Sequence, residues 1–223
     1  MSDPQRERPR IYLITPPQIE DVDAFVDLFR AAIQGGDVAS LQIRLKKGDQ
    51  IDTGQTRLVT QAVKRICAAE QIALIINDSP QLARALEVDG VHLGMDDMDI
   101  EEAREIVGPD MIIGATCKAS RHQAMIAGEA GADYVAFGAF YPTETKQNTT
   151  QAEPEVLTWC QMFLTLPCVA IGGITVDNAA PLISAGADFL AVSNGVWNHN
   201  DGPAAAVAML NRVIDEAMAN AQI

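Results

Sequence analysis

The chain has 223 residues, of which 48% are hydrophobic, so a sizeable core is expected and wholesale disorder is excluded. Sixteen Lys and Arg stand against 30 Asp and Glu, a net charge of −14, which disfavours nucleic acid and anionic membrane surfaces as partners. No apolar run approaches the ~18 residues of a membrane span, and the charged N-terminus lacks the apolar stretch of a secretory signal.

Eight short apolar runs alternate with amphipathic ones: 11–15, 38–44, 72–77, 90–93, 111–116, 134–138, 168–171 and 189–193. Their apolar character suits strands buried on both faces, as in a parallel sheet. The first is followed by Val22, Phe25, Val26, Phe29 and Ile33 at helical spacing, and the second by Leu58, Ala62, Arg65, Ile66 and Ala69, with Arg65 read as snorkelling. Pro80 opens a helix running to about Leu86, and Pro154 precedes another over 156–164. A last helix covers 204–218. Ala-Gly-Ala-Asp occurs at 130–133 and 185–188, with Val88-Asp89-Gly90 as a degenerate relative. Gly131 and Gly186 suit helix C-caps, and the Asp that follows opens a strand. About 28 residues per unit is close to the ~30 of a strand–helix crossover. The expected fold is an α/β (β/α)8 TIM barrel, one domain over residues 1–223 with a flexible tail at 1–9. A doubly wound open sheet is the alternative, disfavoured because no Gly-x-Gly-x-x-Gly follows an early strand.

In such a barrel chemistry belongs at the C-terminal strand ends. Gln42, Arg44 and Lys46 alternate after the second strand, so they share one face. They form either a solvated surface edge or an oxyanion clamp. Asn77-Asp78 ends the third strand, and Asp97 follows the fourth. Asp78 is either a helix N-cap or, with Asp97, a hard-cation ligand, for which magnesium is the natural choice. Thr116 ends the fifth strand; Gly172-Gly173 and Ser193-Asn194 end the seventh and eighth, where such barrels commonly hold a phosphate. Thr143, Thr145 and Lys146 open a long polar connection that reads as a surface loop or a lid. His92, His122 and His199 read as structural, and Cys67, Cys117, Cys160 and Cys168 as free thiols of a reducing cytoplasm.

In their order these motifs resemble the thiamine phosphate synthase family: Gln42-Ile-Arg44-Leu-Lys46, Asn77-Asp78, Gly90-Val-His92-Leu-Gly94-Met-Asp-Asp97, Pro142-Thr-Glu-Thr-Lys146, Val169-Ala-Ile-Gly-Gly-Ile174 and Ala185-Gly-Ala-Asp188. The match spans about Ile11 to Gly195. The resemblance implies a transferase joining a hydroxymethylpyrimidine diphosphate to a hydroxyethylthiazole phosphate, with Mg2+ as cofactor. It implies that Arg44, Lys46, Asn77, Thr116 and Lys146 hold the diphosphate and that Asp78 and Asp97 hold the metal. Gln42 would meet the pyrimidine. Gly173, Ser193 and Asn194 would hold the thiazole phosphate, with Thr143 and Thr145 nearby. Met95, Lys118 and Asn194 depart from the usual residues of the pattern. A thiazole tautomerase and a non-catalytic precursor-binding paralogue are the alternatives, and a homo-oligomer stays open.

Overall fold

The computed structural model describes residues 6–48, 50–142 and 151–220. Eight parallel strands close into a barrel: β1 (Arg10–Ile14), β2 (Val38–Ile43), β3 (Ala73–Asn77), β4 (Gly90–Leu93), β5 (Ile112–Lys118), β6 (Tyr134–Phe137), β7 (Cys168–Ile171) and β8 (Phe189–Val192). Each pairs with its sequence neighbours, and β8 closes on β1. The helices are α1 (Val22–Gln34), α2 (Thr53–Ala69), α3 (Pro80–Leu86), α4 (Ile100–Val107), α5 (Arg121–Glu129), α6 (Glu155–Phe163), α7 (Ala180–Ala185), a single turn α8 (Asn194–Trp197) and α9 (Gly202–Asn220). The barrel is thus the expected one, with strand ends shifted by a residue or two.

The apolar runs work as strands because both faces are buried. Outward residues such as Ile11, Leu13, Leu41, Ile76 and Val135 join one core with Phe25 and Phe29 of α1 and Val59 and Val63 of α2. Inward residues Tyr12, Ile14, Tyr134, Ala136, Val169 and Ala191 form a second core inside the barrel. Each fully buried aliphatic side chain contributes roughly 1.5–3 kcal/mol. Gly114 is required by the inner core: a Cβ there would lie 1.9 Å from Cζ of Tyr134. The missing side chain is the space into which the Tyr134 ring turns.

The repeated aspartates serve strand starts. Asp89, Asp133 and Asp188 each precede a strand, and each accepts a hydrogen bond from the backbone of the preceding strand. Leu74 N lies 2.7 Å from Asp89 Oδ2, Ile113 N 2.7 Å from Asp133 Oδ2, and Cys168 N 2.8 Å from Asp188 Oδ2. Gly131 and Gly186 carry positive φ at helix ends, as C-caps do.

Within the described part of the 1–9 tail, Arg6 donates to the carbonyls of Ile183 and Ala187, and Arg8 meets Asp215 at 2.6 Å. All these contacts lie at the N-terminal face. The sequence reading also missed an antiparallel pair after β2, Lys46–Lys47 with Gln50–Ile51. It is too short for periodicity to reveal.

Candidate active site

Strand β2 ends at Ile43, so Lys46 is not on the same strand as Gln42. The small hairpin nonetheless returns Lys46 to the mouth, where Nζ lies 2.8 Å from Asp78 Oδ2. Gln42, at the inner end of β2, donates from Nε2 to Asn77 Oδ1 at 2.9 Å, and both residues are buried. Arg44 is half-buried, and its backbone N–H donates to Thr15 Oγ1 at 2.9 Å. Thr15 is the C-terminal residue of the first apolar run and belongs to the site's framework. The rule that strand ends carry function could have singled it out.

The N-cap ambiguity at Asp78 is resolved by its neighbour. Ser79 caps α3, its Oγ accepting from Leu82 N at 3.2 Å. Asp78 is left with φ of +62° and a carboxylate turned to Lys46. That left-handed conformation is tolerated by Asp better than by most residues. Asp97 Oδ2 accepts from Gly94 N at 2.6 Å, and its carboxyl is electrostatically coupled to that of Asp78.

The charges interact strongly. Burial lowers the Arg44 guanidinium, while Asp78 and Asp97 oppose that shift. At Asp78 burial acts to raise the carboxyl, but hydrogen bonds from Lys46 and Asp97 and the charges of Lys46 and Arg44 outweigh it, leaving the group below the usual carboxylate range. Asp97 is raised, first by burial and then by its hydrogen bond and charge repulsion with Asp78. Two cations and two carboxylates therefore converge, and the carboxylates crowd one another.

This donor set fits a particular kind of cation. Among the described residues no three His, Cys, Asp or Glu side chains group to hold a metal. The carboxylates of Asp78 and Asp97 are oxygen ligands of the kind magnesium takes from a protein, the rest of its shell being water and phosphate oxygens.

Thr116 lies two residues before the end of β5, and its Oγ1 lies 2.8 Å from His92 Nε2. Beside it a cavity of about 280 Å³ is lined by Met95, Asp97, Met98, Thr116 and Ile126. A larger cavity of about 370 Å³ lies between the end of α2 and the segments that lead into β3 and β4, and is lined by none of the candidate residues.

Across the mouth, Gly172 and Gly173 have φ of +101° and +66°. A Cβ on Gly173 would come within 2.5 Å of the Pro142 carbonyl oxygen, so only glycine fits. Asn178 holds this turn, donating from Nδ2 to Gly173 O at 2.9 Å and accepting from Thr175 N at 2.8 Å. Ser193 donates to Thr15 O at 3.1 Å, and Asn194 is exposed at the start of α8. Thr143, Thr145 and Lys146 lie outside the described residues. The cysteines are all buried, and burial pushes the Cys67 and Cys117 thiols up to about 12, so neither is poised as a nucleophile.

Fold and site define an enzyme of the (β/α)8-barrel class, its charged groups gathered at the C-terminal mouth and its structural ties at the other end. Residues 11–196 match the thiamine monophosphate synthase family, and the chain belongs to that family. It is 59% identical over 211 residues to the thiamine-phosphate synthase of Hyphomonas neptunium, covering 94% of this chain and 96% of that protein. It is 55% identical to that of Rhodospirillum centenum over 205 residues, 92% and 97% of the two chains. The solved thiamine phosphate pyrophosphorylase from Pyrococcus furiosus superposes with a TM-score of 0.80 at 29% identity, covering 94% of this chain and 97% of that one.

Proposed function

We propose that this chain is a transferase that condenses 4-amino-2-methyl-5-hydroxymethylpyrimidine diphosphate with 4-methyl-5-(2-hydroxyethyl)thiazole phosphate, giving thiamine phosphate and pyrophosphate. The observation that carries this reading is the convergence of Arg44 and Lys46 with Asp78 and Asp97 at the barrel mouth. Such a cluster suits a ligand that is itself anionic and metal-bound. A tautomerase acting on a single phosphate has no use for it.

The chemistry needs no general base. The bond between the pyrimidine methylene carbon and the diphosphate oxygen breaks with its electron pair leaving on oxygen. The methylene cation is stabilised by the pyrimidine amino group. The thiazole nitrogen lone pair then forms the new carbon–nitrogen bond, and no proton is transferred. The protein's task is to stabilise charge on the leaving group and to align two rings.

Arg44, Lys46, Asn77 and Thr116 hold the diphosphate in this reading, joined by Lys146. Asp78 and Asp97 hold a magnesium ion, which when bound neutralises diphosphate charge. Gln42, oriented by Asn77, faces the pyrimidine ring. The backbone at Gly173 and around Ser193 and Asn194 receives the thiazole phosphate, with Thr143 and Thr145 beside it. Four buried free cysteines accord with work in a reducing cytoplasm. Among the described residues no helix is long and apolar enough to cross a membrane. The purified chain, given both precursors and magnesium, is expected to release equal amounts of thiamine phosphate and pyrophosphate. Binding of both precursors without either product would sink the proposal in favour of a binding protein.

A further inference from the structure

The floor of the site holds a polar chain that the condensation does not itself require. Tyr12 Oη lies 2.9 Å from Tyr134 Oη, Tyr134 Oη 2.9 Å from His92 Nδ1, and His92 Nε2 2.8 Å from Thr116 Oγ1. Tyr12, Tyr134 and His92 are only 5%, 8% and 7% exposed. Packing holds the geometry: Tyr134 meets Tyr12 edge-on with centroids 6.0 Å apart and stacks with His92 at 5.6 Å.

The hydrogens of this chain can be counted. Burial pushes both phenols above their ordinary range, so each keeps its proton. With a hydrogen on Nδ1, His92 donates to Tyr134. One phenol hydrogen then has no acceptor, because among the described residues the Tyr12 hydroxyl has no other hydrogen-bond partner. An imidazolium strands a phenol hydrogen in the same way and adds a buried charge. With the hydrogen on Nε2 the order runs Tyr12 to Tyr134, Tyr134 to His92 Nδ1, and His92 Nε2 to Thr116 Oγ1. Every interior donor is then used. The hydrogen left over is Thr116's own, and Thr116 sits half-buried at the mouth end. A buried donor without an acceptor is destabilising, so this order prevails.

We infer that His92 is a positioning residue: held as its Nε2–H tautomer by Tyr12 and Tyr134, it donates to Thr116 and turns the Thr116 hydroxyl hydrogen toward an oxygen of the anionic ligand. The inference rests on the diphosphate reading, in which Thr116 is one of the groups that grip the leaving group. Reversed, the chain would consume the Thr116 hydrogen on His92 and present only lone pairs to an anion.

Two measurements test it on the full chain. Two-bond proton–nitrogen correlation spectra of histidine-labelled protein show which imidazole nitrogen is protonated, His92 being assigned by its loss in His92→Gln. A hydrogen on Nε2 alone is expected; one on Nδ1, or on both, overturns the inference. The second measurement is a double-mutant cycle. His92→Gln should lower kcat/KM for the pyrimidine diphosphate about tenfold, the scale of one hydrogen bond. In a Thr116→Ala background the same change should have an effect of about twofold or less. Equal losses in both backgrounds mean a role that does not pass through Thr116 and overturn it. Should His92→Gln not fold, Tyr134→Phe, which keeps the ring, replaces it in the cycle. Failure of the diphosphate reading looks different. The natural protein would then form no thiamine phosphate, and Thr116→Ala would leave magnesium pyrophosphate binding unchanged. That result also overturns the inference, although the tautomer would stand.

Discussion

Asp78 and Asp97 divide the work of one site unequally. Lys46 and Arg44 hold Asp78 ionised, whereas Asp97 is disfavoured as an anion by burial and by Asp78. The raised Asp97 binds more protons folded than unfolded between the ordinary aspartate range and its folded value, so its contribution to stability falls as pH rises through that window. Asp97→Asn removes that repulsion while keeping an oxygen for Gly94 N. The expected outcome at neutral pH is a higher thermal midpoint without metal, together with a higher magnesium requirement and lower turnover. A lower midpoint by calorimetry, or an unchanged magnesium titration, would contradict it. As pH falls, protons compete first for Asp97, so the magnesium needed for half-maximal rate should rise on the acid side. Lys146 is assigned by its motif alone, as a donor to the leaving group. If it acts as charge builds there, Lys146→Ala lowers kcat by about 10²–10³ with a smaller change in diphosphate KM. Lys146→Arg should recover only part, because a planar fork approaches differently. Turnover equal to the natural enzyme would remove Lys146 from the mechanism.

Secondary elements are tied together by a device that recurs on alternate strands. Asp89, Asp133 and Asp188 each accept from a backbone N–H at the start of the preceding strand, at the barrel end away from the charged mouth. At Asp133 the same oxygen also meets Arg104 of α4 at 2.7 Å, so one carboxylate joins a helix and two strands. Asp133→Ala leaves Ile113 N without its acceptor and should cost about 1–3 kcal/mol in denaturant unfolding, with kcat unchanged in the folded fraction. Asp133→Asn should cost less, since its carbonyl oxygen can still accept. An alanine variant as stable as the natural chain would show that water replaces the carboxylate without penalty.

At the scale of the whole molecule the two ends of the barrel have separate duties. Arg6 binds carbonyls at the end of α7 and before β8, Arg8 reaches Asp215 and Asn211 of α9, and Arg10 pairs with Asp37 before β2. The start of the chain is thereby fastened to its last elements, where the barrel closes. Removing residues 1–8 should lower the thermal midpoint by about 2–4 °C, the shift expected for ~1 kcal/mol in a chain of this length. Both KM values should stay as they were, because these contacts lie at the face opposite the site. A changed KM with an unchanged midpoint would reverse the assignment of ends.

Eight apolar runs, the helical spacing between them and the Ala-Gly-Ala-Asp repeat were enough to determine the barrel, because periodicity and length are local properties. The order of charged motifs at strand ends was likewise enough to point to the family. Convergence was not legible. That Lys46 returns to Asp78 depends on a hairpin of two-residue strands, and that the Asp78 carboxylate meets Lys46 rather than capping α3 depends on Ser79 taking the cap. The polar chain through His92 joins residues 42 and 122 positions apart, through a space that Gly114 leaves for Tyr134. A linear pattern states which side chains a strand end carries. Which of them meet, which proton each holds and which carboxylate stays charged follow from distance and burial, and those arise only when the barrel closes.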